Sequence, residues 1–346
     1  MKRTKFVLFV VIGGLFGCKT VVESPIITTI SDISINQIVC DSIPVLIENS
    51  SAEGFTYITN NELYFLDKYF CRNYKIDTTG CVLMSNMGQG RAPHEIPLKE
   101  IIGVSAEGEN LFVLDATRML YHYKSFDNHK MISTYNPSHT TPRYDNPNVY
   151  TLDYEELNIV STPQAVYMNI YSEHPELNYI MHTSEYCKHA NVIMKISLED
   201  GNCIMGGRYP QSYIADKKKI IQNSSISYDI YDDVCWINYA LDSLIHKCNS
   251  DDLVCFERFG IAGVGSNITY KQLKYIPETN LLFRIYEQSQ KDVICTRMQI
   301  YSDYTLIADV EVPNDFRIVG YIEPFYITQI YSDIDLSSLW MYRFTL

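Results

Sequence analysis

Short bursts of apolar residues, each broken by a turn, recur along this chain from end to end. Phe55-Thr56-Tyr57-Ile58-Thr59 meets Leu63-Tyr64-Phe65-Leu66 across Asn60-Asn61-Glu62. Residues 111–115 are followed by 120–123, and residues 192–198 turn at Glu199-Asp200-Gly201-Asn202 into Cys203-Ile204-Met205. Asp200-Gly201 is a hairpin signal, because glycine tolerates the positive φ that the turn demands. The same unit returns as 234–239 with 243–248, 281–286 with 296–301, and 325–330 with 340–344. These pairs predict β-strands joined by tight turns. No long stretch after residue 18 carries the 3.6-residue period of an amphipathic helix.

The first strong run of each pair marks a crude repeat. Leu63, Leu111, Val166, Val234, Leu281 and Phe325 are separated by 48, 55, 68, 47 and 44 residues. Periods of about 40–50 residues indicate propellers of four-stranded blades, and longer spacings host insertions. The predicted fold is all-β, a six-bladed propeller, with seven blades or a pair of β-sandwiches as alternatives. Residues 33–46 are expected to close the ring by pairing into the last blade. The interval from Thr134 to Ala165, with four prolines, is expected to be an insertion or extended loop.

The amino terminus obeys a different pattern. Met1-Lys2-Arg3-Thr4-Lys5 is basic, and twelve uncharged residues run from Phe6 to Gly17 before Cys18. That is the layout of a secretory signal, too short for the ~20 apolar residues of a spanning helix. Leu15-Phe16-Gly17-Cys18 is similar to a lipobox, in which the thiol is acylated and the chain is cut just before it. Residues 1–17 therefore read as a signal peptide, 18–30 as a lipidated tether and 31–346 as the propeller domain. Lys19 lacks the Asp that retains many lipoproteins at the inner membrane, which points to the outer membrane. The 329 residues left after cleavage exceed the ~250–300 that one core supports. Blades remove that difficulty, since each interface between neighbours is its own core.

Net charge is −13 and the pI is about 5.0, so no nucleic-acid partner is expected: phosphate neutralisation needs a basic stripe. Lys217-Lys218-Lys219 reads as a solvated loop. The 28 tyrosines are β-formers with a polar tip, and most are read as sheet packing. Ten cysteines are present; with Cys18 on lipid, nine remain, an odd number that cannot all pair within a monomer. Cys71 and Cys81 flank a predicted hairpin and are the best local pair. Cys235 and Cys295 lie in strand-like runs, where they act as small apolar residues.

At Asn86-Met87-Gly88-Gln89-Gly90-Arg91-Ala92-Pro93-His94-Glu95-Ile96 the chain resembles the Gly-x-Gly-x-Pro-x-Glu stretch of TolB-like six-bladed β-propeller lipoproteins of Bacteroidetes, a family of uncharacterised function. Gly88, Gly90, Pro93 and Glu95 match, with one residue inserted at Arg91-Ala92. The family's following strand pair corresponds to Leu111-Phe112-Val113-Leu114-Asp115 and Tyr121-His122-Tyr123. Gly206-Gly207-Arg208-Tyr209-Pro210 occupies the corresponding place in another blade. Residues 227–248 and 320–346 also resemble a related Bacteroidetes lipoprotein family of the same architecture. The resemblance implies a fold and a compartment, and structural roles for Gly88, Gly90, Pro93, Glu95 and Asp115.

Catalytic motifs are absent from the sequence. Gly88-Gln89-Gly90 is not followed by the Lys-Ser/Thr of a phosphate cradle and reads instead as a tight blade-to-blade crossover, with Glu95 accepting backbone N–H bonds there. His182-Thr183-Ser184-Glu185-Tyr186-Cys187-Lys188-His189 gathers ligand types that zinc accepts, but at no known spacing, and no metal or other cofactor is expected. Asp333-Ile334-Asp335 lacks the glycine and distal Glu of a calcium loop. The expectation is a non-catalytic exported lipoprotein whose propeller binds a protein, peptide or glycan. The alternative is a polysaccharide hydrolase or lyase with its site over the central channel. Charged residues converging at the channel mouth favour the enzyme; a channel of apolar and backbone groups alone would exclude it.

Overall fold

The structure, a computed structural model, describes residues 26–27, 29–35, 37–97, 100–124, 130–135, 149–152, 157–173, 177, 180–265, 267–290, 293–332 and 338–346. Residues 1–17, expected to be a signal peptide, Cys18, most of the expected tether 18–30 and Asp333-Ile334-Asp335 lie outside the described residues.

Six antiparallel sheets form a six-bladed β-propeller. Blade one is Gly54–Thr59, Glu62–Asp67, Arg72–Ile76 and Val82–Met87. Blade two is Ile101–Glu107, Asn110–Asp115, Leu120–Lys124 and Lys130–Tyr135. Blade three is Ile159–Ser161, Ala165–Glu173, Asn191–Ser197 and Cys203–Arg208. Blade four is Ile226–Tyr231, Val234–Tyr239, Ile245–Asn249 and Cys255–Phe259. Blade five is Ile268–Ile276, Leu281–Gln290, Val293–Ser302 and Thr305–Val312. Blade six is Ile318–Ile322, Phe325–Thr328, Leu339–Phe344 and, from the other end of the chain, Asp41–Val45.

All six residues that mark the sequence repeat fall in the second strand of their blades. The reason is burial on both faces. A second strand is packed between two neighbouring blades, so it reads as a continuous apolar run. Residues 63–67 and 111–115 are buried without a break, whereas the fourth strand Val82–Met87 has no fully buried residue. Among the described residues, buried apolar side chains fall into six clusters, one per blade interface. The core is thus distributed around the ring, as the chain length requires.

Ring closure differs from the expectation in extent. Asp41–Val45 pairs antiparallel with Leu339–Phe344, with Met341 opposite Ile43. Residues 33–35 do not join blade six: Thr29–Ile35 lies parallel on Thr305–Val312 of blade five. Ile26–Ile27 lies parallel on Cys255–Phe259 of blade four. The amino-terminal segment therefore runs along the outer edges of three blades, pairing strand edges that would otherwise be open.

The interval 134–165 also needs correction. It is not purely an insertion, because it supplies Ile159–Ser161, the first strand of blade three. Three residues are too few to register as a periodic run. Lys217-Lys218-Lys219 begins the short helix Lys217–Gln222, capped by Asp216, whose side chain accepts the Lys218 N–H at 3.1 Å. Burial of Ile220 against blade-four residues holds that helix in place.

Candidate functional site

The first strands of the blades touch one another in order, and blade six returns to blade one. They enclose a central cavity of about 1700 Å³. A first strand has no sheet partner on its channel side, so neighbouring blades are tied by side chains. Thr59 Oγ1 and Asn60 Nδ2 donate to Gly108 O, at 2.8 and 3.0 Å, between blades one and two. Ser105 Oγ lies 2.8 Å from Ser161 Oγ and accepts the Ser161 N–H at 2.9 Å between two and three. Asn158 Nδ2 donates to Tyr228 O while Tyr228 Oη donates to Asn158 O, at 2.7 and 2.8 Å. Gln272 exchanges two 2.8 Å bonds with the backbone of Ile318 between five and six. Thr56 Oγ1 accepts the Ile330 N–H at 2.7 Å between six and one.

The clamp between blades four and five is charged. Asp229, buried in the first strand of blade four, accepts the Tyr275 N–H at 2.8 Å and lies 3.1 Å from Lys274 Nζ. Glu107 of blade two lines the same cavity, half-buried; burial raises its carboxyl, while the Lys274 charge from blade five acts the other way. Lys271, the extra residue of a bulge in the first strand of blade five, and Arg317 flank Glu287 at 3.8 and 3.9 Å.

Beside the charged clamp stands an aromatic group. Tyr231 ends the first strand of blade four, and its ring lies 5.5 Å from that of Tyr275. Tyr275 in turn stacks on Trp236, centroids 4.6 Å apart at 25°. Tyr231 is 43% exposed, whereas Trp236 is 9% exposed and acts as the backing. Asp232, Asp233 and Glu278, in the turns that follow these strands, line the cavity beside the rings. The wall therefore carries charged and aromatic groups together, which leaves the enzyme alternative standing.

Gly88, Gly90, Pro93 and Glu95 come together in the crossover from blade one to blade two, away from the channel. Ile96 N–H donates to Gly88 O at 2.9 Å and Gly90 N–H to Ile96 O at 3.1 Å. Glu95 Oε2 accepts the Ala92 N–H at 2.8 Å. Gly88 has φ +145°, and a Cβ on Gly90 would fall 1.8 Å from Glu95 Oε2. Asp115, fully buried at the end of the second strand of blade two, accepts from Met119 N–H and Thr117 Oγ1, both at 2.7 Å. Asp67 holds the equivalent place in blade one, accepting from Tyr69 and Phe70 N–H.

The His182–His189 segment is separated by the helix Thr183–His189. Cys187 is fully buried with the blade three–four core, while Lys188 and His189 each lie against Glu185 on the exposed side. Cys71 and Cys81 are not a pair. They sit at opposite ends of Arg72–Ile76, a strand of roughly 16 Å at ~3.3 Å per residue, beyond the reach of a disulfide.

Asp229, Lys274, Tyr231 and Tyr275 escape sequence reasoning, since blade packing rather than any motif brings residues 46 positions apart into contact. One signal was available: the resemblance over residues 227–248 spans Asp229, Tyr231 and Trp236.

Fold and channel define a six-bladed β-propeller. No family model matches the sequence, and no curated protein matches it. Among solved structures, the chain is similar to a member of the DUF4221 family from Bacteroides vulgatus, with TM-score 0.64 and 12% identity over 89% of this chain and 98% of that one. It is also similar to a candidate exported protein from Bacteroides fragilis, with TM-score 0.53 and 10% identity over 93% of this chain and all of that one. At these identities the likeness shows the fold. No helix among the described residues is long and apolar enough to cross a membrane.

Proposed function

We propose that this chain is an exported lipoprotein, anchored through Cys18 to the outer membrane, whose propeller binds a protein, peptide or glycan at the channel mouth between blades four and five. The carrying observation is the Tyr231–Tyr275–Trp236 group beside Asp232, Asp233 and Glu278. Aromatic faces stack on flat apolar surfaces of a sugar ring or side chain, and carboxylates accept hydrogen bonds at its edge. Asp229 is engaged with both Lys274 Nζ and the Tyr275 N–H, which fits a rigid platform better than a reacting pair. The net charge of −13 argues against a nucleic-acid partner. The basic leader, the lipobox-like Leu15-Phe16-Gly17-Cys18 and the fold likeness to an exported-class protein support the compartment.

Glycan and peptide arrays probed with the processed chain test the binding reading. Replacing both Tyr231 and Tyr275 by Ala is expected to weaken the selected ligand at least about fivefold, on ~0.5–1.5 kcal/mol per aromatic contact. Unchanged binding would remove the site from the mouth. Cys18→Ser is expected to lose metabolic fatty-acid labelling and leave the membrane fraction; retention there would refute the anchor. Glu107, with its raised carboxyl facing Lys274 across the channel, is the observation on the side of a polysaccharide hydrolase or lyase. Cleavage of a polysaccharide by the wild type, lost in Glu107→Gln, would establish that second reading.

A further inference from the structure

Blade four carries a row of thiols that the channel does not use. Cys235 lies opposite Cys248, and Cys248 opposite Cys255, on the second, third and fourth strands. Directly opposed residues in a regular antiparallel ladder have Cα atoms about 4.5–5.5 Å apart, within the ~4.4–6.8 Å that a disulfide spans; the Cys248–Cys255 pair sits where the register shifts by one residue, at a β-bulge that leaves Phe256 unpaired. The neighbouring Cys255 thiol and burial hold the Cys248 thiol well above its ordinary value, and Cys255 Sγ donates to Glu257 O at 3.2 Å in the resting state. Cys235 is fully buried whereas Cys255 is half-buried, so a reagent from solvent meets the outer pair first.

An imidazole serves the outer thiol. His246 is two residues before Cys248 in the same strand, and therefore on the same face. Its Nδ1 lies 3.8 Å from Cys255 Sγ, and its Nε2 lies 3.4 Å from Asp242 Oδ2. Asp242 also accepts from Ser212 Oγ at 2.8 Å and Leu244 N–H at 3.1 Å. The ring is held by a carboxylate at one nitrogen and presented to sulfur at the other, the arrangement that converts a thiol into a nucleophilic thiolate.

We propose that Cys255 and Cys248 form a thiol–disulfide exchange site whose co-substrate is a small-molecule disulfide. His246 takes the Cys255 proton, and the thiolate attacks one sulfur of the incoming disulfide, expelling its other half as a thiolate. The expelled thiolate takes that proton from His246 and leaves as a thiol; Cys248 then attacks Cys255 Sγ, and its proton passes to the second half, which leaves as the second thiol. A Cys248–Cys255 disulfide and two small thiols result: the two cysteines are oxidised by two electrons and the incoming disulfide is reduced. Asp242 acts as a positioning residue for His246. Exported compartments supply such oxidants.

The test uses the full chain, reduced and then exposed to oxidised glutathione, with acid quench and peptide mass mapping. The expected product is a peptide linking Cys248 to Cys255, with two thiols lost per chain. Cys248→Ser is expected to arrest at a glutathione mixed disulfide on Cys255, and Cys255→Ser to leave Cys248 unreacted. In the Cys248→Ser background, His246→Gln is expected to slow mixed-disulfide formation at least about tenfold and shift its pH–rate profile to that of an ordinary thiol. A link between Cys235 and Cys248, or glutathione on exposed Cys81 or Cys203 with Cys255 unmodified, would overturn the proposal. So would a folded Cys248→Ser chain that accumulates no adduct at Cys255. The trapping result needs no His246 variant, so misfolding of that variant leaves the test intact.

Discussion

Asp229 offers the sharpest check on how the ring is held. The Asp229 side chain is 4% exposed and accepts the Tyr275 N–H at 2.8 Å while facing Lys274 Nζ at 3.1 Å. Asp229→Ala orphans a backbone donor at a blade interface, at a cost of about 1–3 kcal/mol. Lys274 keeps 31% of its side chain exposed and can rehydrate, so losing its partner adds at most about 1 kcal/mol. The expected loss is about 1–4 kcal/mol. Asp229→Asn keeps an acceptor for Tyr275 and gives up the charge pairing alone, a loss of about 1 kcal/mol. With ~2.1 cal/mol/K of unfolding entropy per residue over the 329 residues from Cys18 to Leu346, a 3 kcal/mol loss lowers Tm by about 4 °C and the Asn variant by about 1–2 °C. Calorimetry and urea titration read both values, and a double-mutant cycle with Lys274→Ala isolates the ion pair. Equal destabilisation by Ala and Asn would refute the reasoning, because the backbone clamp would then carry no weight. A neutral Asp229→Ala would refute it outright.

Gly90→Ala should cost about 1–2 kcal/mol, since its Cβ displaces the Glu95 carboxylate from the Ala92 N–H; hydrogen exchange at residue 92 reports the loss, and unchanged protection there would contradict it. Arg284 is fully buried, donating to Asn238 Oδ1, Ser243 O and Asp242 O at 2.7 Å each, with its guanidinium 3.4 Å from the Tyr270 ring. Lysine cannot reproduce that planar fork, so Arg284→Lys is expected to lose about 3–5 kcal/mol in urea unfolding, and a near-neutral result would mean the network is replaceable. The Asp242–His246 pair sets a pH window. Burial pulls the Asp242 carboxyl up, but hydrogen bonds and charge from His246, with help from Leu244 and Ser212, hold it down to about 2. Burial opposes protonation of His246, yet Asp242 and Cys255 leave its pKa raised. The Asp242 contribution is therefore lost as pH falls below the usual carboxylate range toward about 2. The His246 contribution is complete below its ordinary value and lost as pH rises through the raised one. Wild type and His246→Gln should converge in stability at both extremes, and parallel pH profiles would show that the pair contributes nothing.

The sequence alone determined the strand grammar and the strongest run of each unit; the structure decided for six blades over seven or a pair of sandwiches, and placed those runs as second strands. Leu63, Leu111, Val166, Val234, Leu281 and Phe325 stand out because a strand enclosed by blades on both faces must be apolar throughout. Several first and fourth strands are half-solvated or short, as in Ile159–Ser161 and Val82–Met87. Their weaker patterns hid the start of blade three and the split of the amino-terminal segment among three blades. Gly88, Gly90 and Glu95 were legible as a crossover because a tight turn and its carboxylate are neighbours in the chain. The channel was not legible. Asp229 meets Tyr275, and Glu107 faces Lys274, only because six blades close into a ring, a long-range geometry that no local spacing encodes. The thiol row of blade four belongs to the same class: strand register, set by the hairpins between Cys235 and Cys255, decides which sulfurs meet.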